Sequence, residues 1–183
     1  VKALRFEETM TGTWTPSDGD ATARAFEFTV TAVGKDMKRL AQEGRFQIQG
    51  RVRAQELAED SELTGALEVH PITDRELLYA FYFKADDGRR LFYQGRKNIS
   101  LKRLMKSMTT LNGVLYHGKE VVGTSVVHFD LSDIPSFLAS FRIADPEPAA
   151  DIPEEVRAMR PDSCAPGLAD NEVSIEDLKR RID

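Results

Sequence analysis

The sequence predicts an all-β protein: an antiparallel barrel of about eight strands, closed or nearly closed, with few short helices. Three observations carry this prediction. Apolar and polar residues alternate with period two from Thr22 to Asp130. Turn signals separate neighbouring runs, and several glycines sit inside the runs on the apolar parity, where a small barrel needs to coil.

The elements follow in order. An opening strand spans Lys2 to Glu8. Phe26, Phe28 and Val30 alternate with Glu27, Thr29 and Thr31, and Phe46, Ile48, Gly50 and Val52 alternate with Arg45, Gln47, Gln49, Arg51 and Arg53. Leu63, Gly65, Leu67 and Val69 repeat the pattern against Glu62, Thr64 and Glu68. Further strands are expected at Leu77 to Lys84, Arg90 to Asn98, Met108 to His117 and Glu120 to Asp130. Asp86-Asp87-Gly88 and His117-Gly118-Lys119 join neighbouring runs as hairpin turns, which makes the strands antiparallel. Short helices are expected over Lys35 to Gln42, Ser100 to Lys106 and Ser132 to Phe141, the last with Ser132 or Asp133 as cap and Pro135 in the first turn.

Residues 1 to 143 therefore read as one barrel domain and 144 to 183 as an acidic, Pro-rich tail. Five of the eight prolines lie from Pro146 onward, and residues 145 to 183 hold 11 Asp+Glu against 5 Lys+Arg. Such a composition reads as extended chain. It ends in a short amphipathic helix, with Ser174 as cap and Ile175, Leu178 and Ile182 on one face. Residues 1 to 144 are near neutral, with 20 Lys+Arg and 19 Asp+Glu, which argues against a nucleic-acid surface.

No apolar run approaches the roughly 18 to 20 residues of a membrane-spanning helix. No signal peptide is visible at Val1, and the single Cys164 excludes a disulfide within the chain, so a reducing cytoplasm is the expected compartment.

A Leu-x-Gly-x-Leu motif occurs twice, in Leu63 to Leu67 and in Leu111 to Leu115, each followed by a histidine. Gly50-Arg51 precedes the first copy and Gly95-Arg96 the second, which fits two similar halves of a barrel. The glycines are expected to let strands bend or to leave room for a large neighbour. His70 follows its glycine by five residues and His117 by four, so they have opposite strand parity, and no metal site is expected from them.

No constellation of nucleophile, base and orienting group appears, and no GxSxG elbow, phosphate loop or zinc-ligand cluster, so no catalytic residue and no cofactor is expected. Two candidate sites remain. The first is an interior pocket for a small apolar or amphipathic ligand, lined by Trp14, Tyr79, Phe81, Tyr93, Lys97 and Tyr116, with Phe83 on the same hairpin parity. Trp14 would plug one barrel end. The second is an anion or tail-binding surface at Arg89, Arg90, Arg96, Lys102 and Arg103, in a stretch without acids until Glu120.

Gly12-Thr13-Trp14 resembles the Gly-x-Trp near the start of lipocalin-type barrels. More broadly, "LRFEETMTG" (Leu4 to Gly12), "YQGRKN", "TTLNGVL" and "VVGTSVVHF" resemble the small β-rich domain attached to bacterial cholesterol-oxidase-like members of the glucose-methanol-choline oxidoreductase family, over roughly residues 2 to 143. The catalytic work of that family belongs to a flavin domain, and this chain has no GxGxxG after a strand. The resemblance therefore implies a non-enzymatic accessory domain, and the inward aromatic parity beside the acid-free basic stretch suggests that its interior binds a small apolar or amphipathic, lipid- or sterol-like ligand. The alternative is a protein-protein interaction module that serves a separate oxidoreductase or self-associates.

Overall fold

A computed structural model describes residues 2–36, 40, 43–70, 76–98, 110–130, 132, 136, 139–140 and 142–144. Nine strands run in chain order: β1 (Ala3–Pro16), β2 (Arg24–Gly34), β3 (Arg45–Ala54), β4 (Ala58–His70), β5 (Glu76–Lys84), β6 (Arg90–Asn98), β7 (Thr110–His117), β8 (Glu120–Phe129) and β9 (Arg142–Ala144). Every pairing is antiparallel, in the order β2-β3-β4-β5-β6-β7-β8-β1, and β1 pairs back onto β2. The eight strands thus form a closed barrel, which leaves no free sheet edge around it.

β1 makes the closure because it is long. Leu4 to Trp14 pair with β2, whereas only Met10 to Pro16 pair with β8. The remaining edge of β1 is taken up at Ala3, Leu4 and Arg5 by β9. The sequence places the end of this strand at Glu8, but it runs on to Pro16, so Trp14 lies within the strand instead of between it and the alternating strands that follow.

Alternation sorts the side chains. Met10, Phe28, Val30, Ile48, Phe81, Leu91, Tyr93, Leu111, Leu115 and Val127 point inward and are fully buried. The hairpin turns β3–β4, β5–β6 and β7–β8 gather at one end, where Trp14 closes the interior. Its indole Nε1 donates to the Gln55 carbonyl at 3.1 Å, and the Arg24 guanidinium lies 5.4 Å from the ring centre. At the opposite end, backbone bonds run from Leu40 to Asp36 and from Gly44 to Leu40, and most of the helix expected over Lys35 to Gln42 lies outside the described residues. The helices expected over 100–106 and beyond 144, and most of the one over 132–141, lie outside the described residues.

The in-strand glycines do two different kinds of work. A Cβ at Gly65 would collide with the Ala80 carbonyl, and one at Gly50 with that of Thr29, so these positions permit close approach of neighbouring strands. A Cβ at Gly113 or Gly95 would instead meet the Tyr93 ring. The two Leu-x-Gly-x-Leu copies are therefore not equivalent. Gly95 and Gly113 face each other across β6–β7, whereas Gly50 faces Leu63, and Gly65 faces Ile48. His70 and His117 stand at opposite ends of the barrel, since β4 and β7 run in opposite directions.

Candidate functional site

The barrel interior is apolar except at two levels. Along β1 the inward series is Phe6, Glu8, Met10, Gly12 and Trp14, so strand geometry drives the Glu8 carboxylate inside, where the residue is 8% exposed. β5 brings Tyr79 to the same level, and its hydroxyl donates to Glu8 Oε2 at 2.8 Å. β6 supplies Lys97, itself 4% exposed, which acts on Glu8 by charge. A second polar pair lies further along the interior, where Ser125 Oγ donates to the Tyr93 hydroxyl at 3.2 Å.

Burial dominates the electrostatics of this cluster. It pushes the Glu8 carboxyl above its ordinary value of 4.5, while the Lys97 charge and the Tyr79 hydrogen bond oppose that shift. It also holds the Lys97 amine below its ordinary value, with Glu8 pulling the other way. The Tyr79 phenol is raised well above 10.0 by burial, by the Glu8 charge and by its hydrogen bond to Glu8. Tyr93 is raised as well, through burial. Each of the two oppositely charged groups thus supplies part of what the other loses by leaving water.

Aromatic rings form the wall on the Trp14 side. Phe28 lies 5.2 Å from Phe81, 5.6 Å from Tyr93 and 5.9 Å from Tyr79 between ring centres, and Phe81 stacks on Tyr93 at 4.7 Å. On the Lys97 side the boundary is Phe6 against Phe46 at 5.2 Å, with Leu67, Val69 and Leu77. A separate open depression of about 520 Å³ lies toward the hairpin-turn end, with Gly12, Phe26, Arg53, Ala54 and Gln55 among its lining, away from this cluster.

Of the pocket residues expected from sequence, Tyr79, Phe81, Tyr93 and Lys97 share the interior, and Trp14 closes its far end. Tyr116 does not join them. On β7, Leu111, Gly113 and Leu115 take the inward parity, so Tyr116 faces outward and packs with Phe92 and Ala80 on the outer surface. Glu8 and Ser125 are the polar interior positions that the sequence reading leaves out. Their signal is their place in the alternations Phe6-x-Glu8-x-Met10 and Gly123-x-Ser125-x-Val127.

The basic residues do not converge on one anion site. Arg89 pairs with Asp87 at 2.7 Å in the β5–β6 turn, and the Arg90 guanidinium sits 4.1 Å from the Tyr82 ring centre. Arg96 pairs with Glu76 at 3.6 Å and stands six residues along β6 from Arg90, about 20 Å away at ~3.4 Å per residue. Lys102 and Arg103 lie outside the described residues.

Among the described residues no group of three or more His, Cys, Asp or Glu is placed to hold a metal ion, and no helix is long and apolar enough to cross a membrane. Comparison with known proteins finds no matching family model, no matching curated protein and no matching solved structure.

Proposed function

We propose that the protein is a non-enzymatic binding module whose barrel receives the polar head of a small amphipathic, lipid- or sterol-like ligand at Glu8, Tyr79 and Lys97. The observation that carries this reading is the interior carboxylate, bonded by a buried phenol at 2.8 Å inside a largely apolar barrel. Burying charged groups of opposite sign that act on each other without a direct bond costs stability more than it adds, so stability alone does not account for Glu8 and Lys97 inside the barrel.

Glu8 alters the expected head group. Lys97 beside aromatic walls would favour an acid, but a carboxylate head would also face Glu8. A neutral hydroxyl or amide both donates and accepts, and so suits a cluster that holds charge of each sign. The packed rings of Phe28, Phe81 and Tyr93 occupy the section toward Trp14, so in this reading the ligand's apolar part would lie near Phe6, Phe46 and Leu77.

Native mass spectrometry of the full chain purified from its own host reads bound small molecules and copy number together. A one-to-one adduct in the wild type, absent from Glu8→Gln/Lys97→Met, is the expected result. A wild type that carries no adduct and also takes up no fluorescent sterol or long-chain alcohol overturns the reading.

A second reading is an interaction module that serves a separate oxidoreductase or pairs with its own copy. It draws on the outward-facing, mostly buried row Ala66, Ala80, Gln94 and Val114 on β4 to β7. A strictly monomeric native mass removes self-association, and failure to retain an oxidoreductase in purification from the same host removes the rest.

A further inference from the structure

The outward face of the barrel has two characters. Around β2 and β3 it is polar, with Glu27, Thr29, Arg51 and Arg53 pointing away from the interior. This is the usual state of an antiparallel sheet with one wet face. Across β3 to β7 the register instead aligns Gln47, Ala66, Ala80, Gln94 and Val114 in one outward row. The first four are 5%, 3%, 6% and 4% exposed. None of the nine strands lies over this row.

The row has the shape of a trough. Two alanines form its floor, and the neighbouring outward row raises an aromatic ridge, with Tyr82 4.9 Å from Phe92 and Phe92 6.2 Å from Tyr116. Leu78, 5% exposed, stands on the other side. Within the trough, both amide atoms of Gln94 are buried and have no hydrogen-bond partner among the described residues. A glutamine amide needs both an acceptor and a donor, and a peptide backbone laid across it supplies both.

We propose that the occupant is the acidic, proline-rich segment of this chain that follows Ala144, laid across the trough as an intramolecular strap. Reach permits it. β9 delivers Ala144 opposite Ala3, at the end of the barrel where β1 begins, and three strand steps separate β1 from β6, about 15 Å at ~4.8 Å each. Residues 145 to 183 number 39, and a dozen of them in extended form span about 40 Å.

Chemistry favours the same segment. It begins Asp145-Pro146-Glu147-Pro148, and proline-rich extended chain is recognised by aromatic-lined grooves because little entropy is lost on docking. Its 11 acids against 5 bases meet Arg90 and Arg96, which stand outward on β6 on either side of Phe92 and Gln94.

The test uses the full chain and its sole cysteine, Cys164, as the attachment point for a nitroxide. In isotope-labelled protein, the strap predicts loss of amide signal intensity at Ala80, Gln94 and Val114, with signals at Thr29 and Arg51 retained. Nitroxide-bearing protein without isotope, mixed with isotope-labelled protein without nitroxide, should cause no loss. Ala80→Arg fills the trough and Arg96→Glu repels the acids from an exposed rim at the expense of the Arg96–Glu76 pair, so each should restore the Gln94 signal. Signal loss on a different face, equal loss over the whole barrel, loss in the mixed sample, or loss unchanged in both variants overturns the proposal. Loss in the mixed sample would assign the trough to a second copy.

Discussion

Lys97→Met tests whether the interior carboxylate is held by its pair. Methionine keeps much of the lysine stem's bulk and removes the charge, so Glu8 is left with the 2.8 Å bond from Tyr79 inside the barrel. Removing one partner of a directly bonded buried pair typically costs about 3–5 kcal/mol, an upper bound here because Lys97 acts on Glu8 by charge without a direct bond. The retained charge-assisted bond is worth about 1.5–3 kcal/mol, which places the expected loss near the lower figure. Glu8→Gln leaves Lys97 buried alone, and that amine escapes part of its penalty by losing its proton. The double variant buries neither charge, so its cost should fall short of the summed singles by about 1–3 kcal/mol.

The sign of the pH dependence follows from the raised Glu8 value. Because burial lifts the folded-state pKa above 4.5, the stability that comes from a neutral Glu8 is fully present below 4.5 and is lost as pH rises through the folded value. Lys97 opposes that rise, so its removal lifts the folded value further. The penalty of Lys97→Met should therefore be small or reversed below 4.5 and grow as pH increases above it. Urea unfolding followed through Trp14, the single tryptophan, measures all four proteins. Single costs that add to within about 0.5 kcal/mol, or a Lys97→Met penalty that is flat with pH, would refute the pairing.

Three further outcomes follow from the packing. Gly113→Val places methyl groups against the Tyr93 ring and should cost about 1–3 kcal/mol or more, read as a lowered Tm by circular dichroism. Ser125→Ala removes the donor to the buried Tyr93 hydroxyl and should cost about 1–2 kcal/mol in urea unfolding, whereas Tyr93→Phe/Ser125→Ala should recover part of it. Trp14→Phe loses the bond to the Gln55 carbonyl and the Arg24 contact; a loss of about 1–2 kcal/mol in thermal unfolding is expected, and an unchanged Tm would show that the ring does not secure that end.

How much of this the sequence disclosed depends on how pure each alternation is. β6 occupies Arg90–Asn98 as expected, because a turn at Asp86-Asp87-Gly88 precedes a run whose two faces differ. β1 is misread beyond Glu8 because its inward set mixes a carboxylate, a glycine and large rings. A period that rewards only apolar residues ends where the interior becomes polar, which is where the candidate site lies. Tyr116 was within reach of parity, since Leu111, Gly113 and Leu115 fix the inward phase. The covered outer face also has a signal: Leu77 to Phe83 is apolar without interruption, the mark of a strand buried on both sides. What no local pattern conveys is register, and register alone puts Gln94 beside Ala80 and Val114.

Register also separates the two proposals experimentally. β5 and β6 serve both, but through opposite parities: Tyr79, Phe81, Tyr93 and Lys97 face the interior, while Ala80, Tyr82, Gln94 and Arg96 face outward. A side chain on one parity does not share a surface with its neighbour on the other. Glu8→Gln/Lys97→Met can therefore abolish ligand capture without moving the strap, and Arg96→Glu can release the strap without altering the interior. If Arg96→Glu also abolished ligand capture, the two faces would be coupled through the strand backbones they share, because neither parity offers a direct contact between the substituted arginine and the interior cluster.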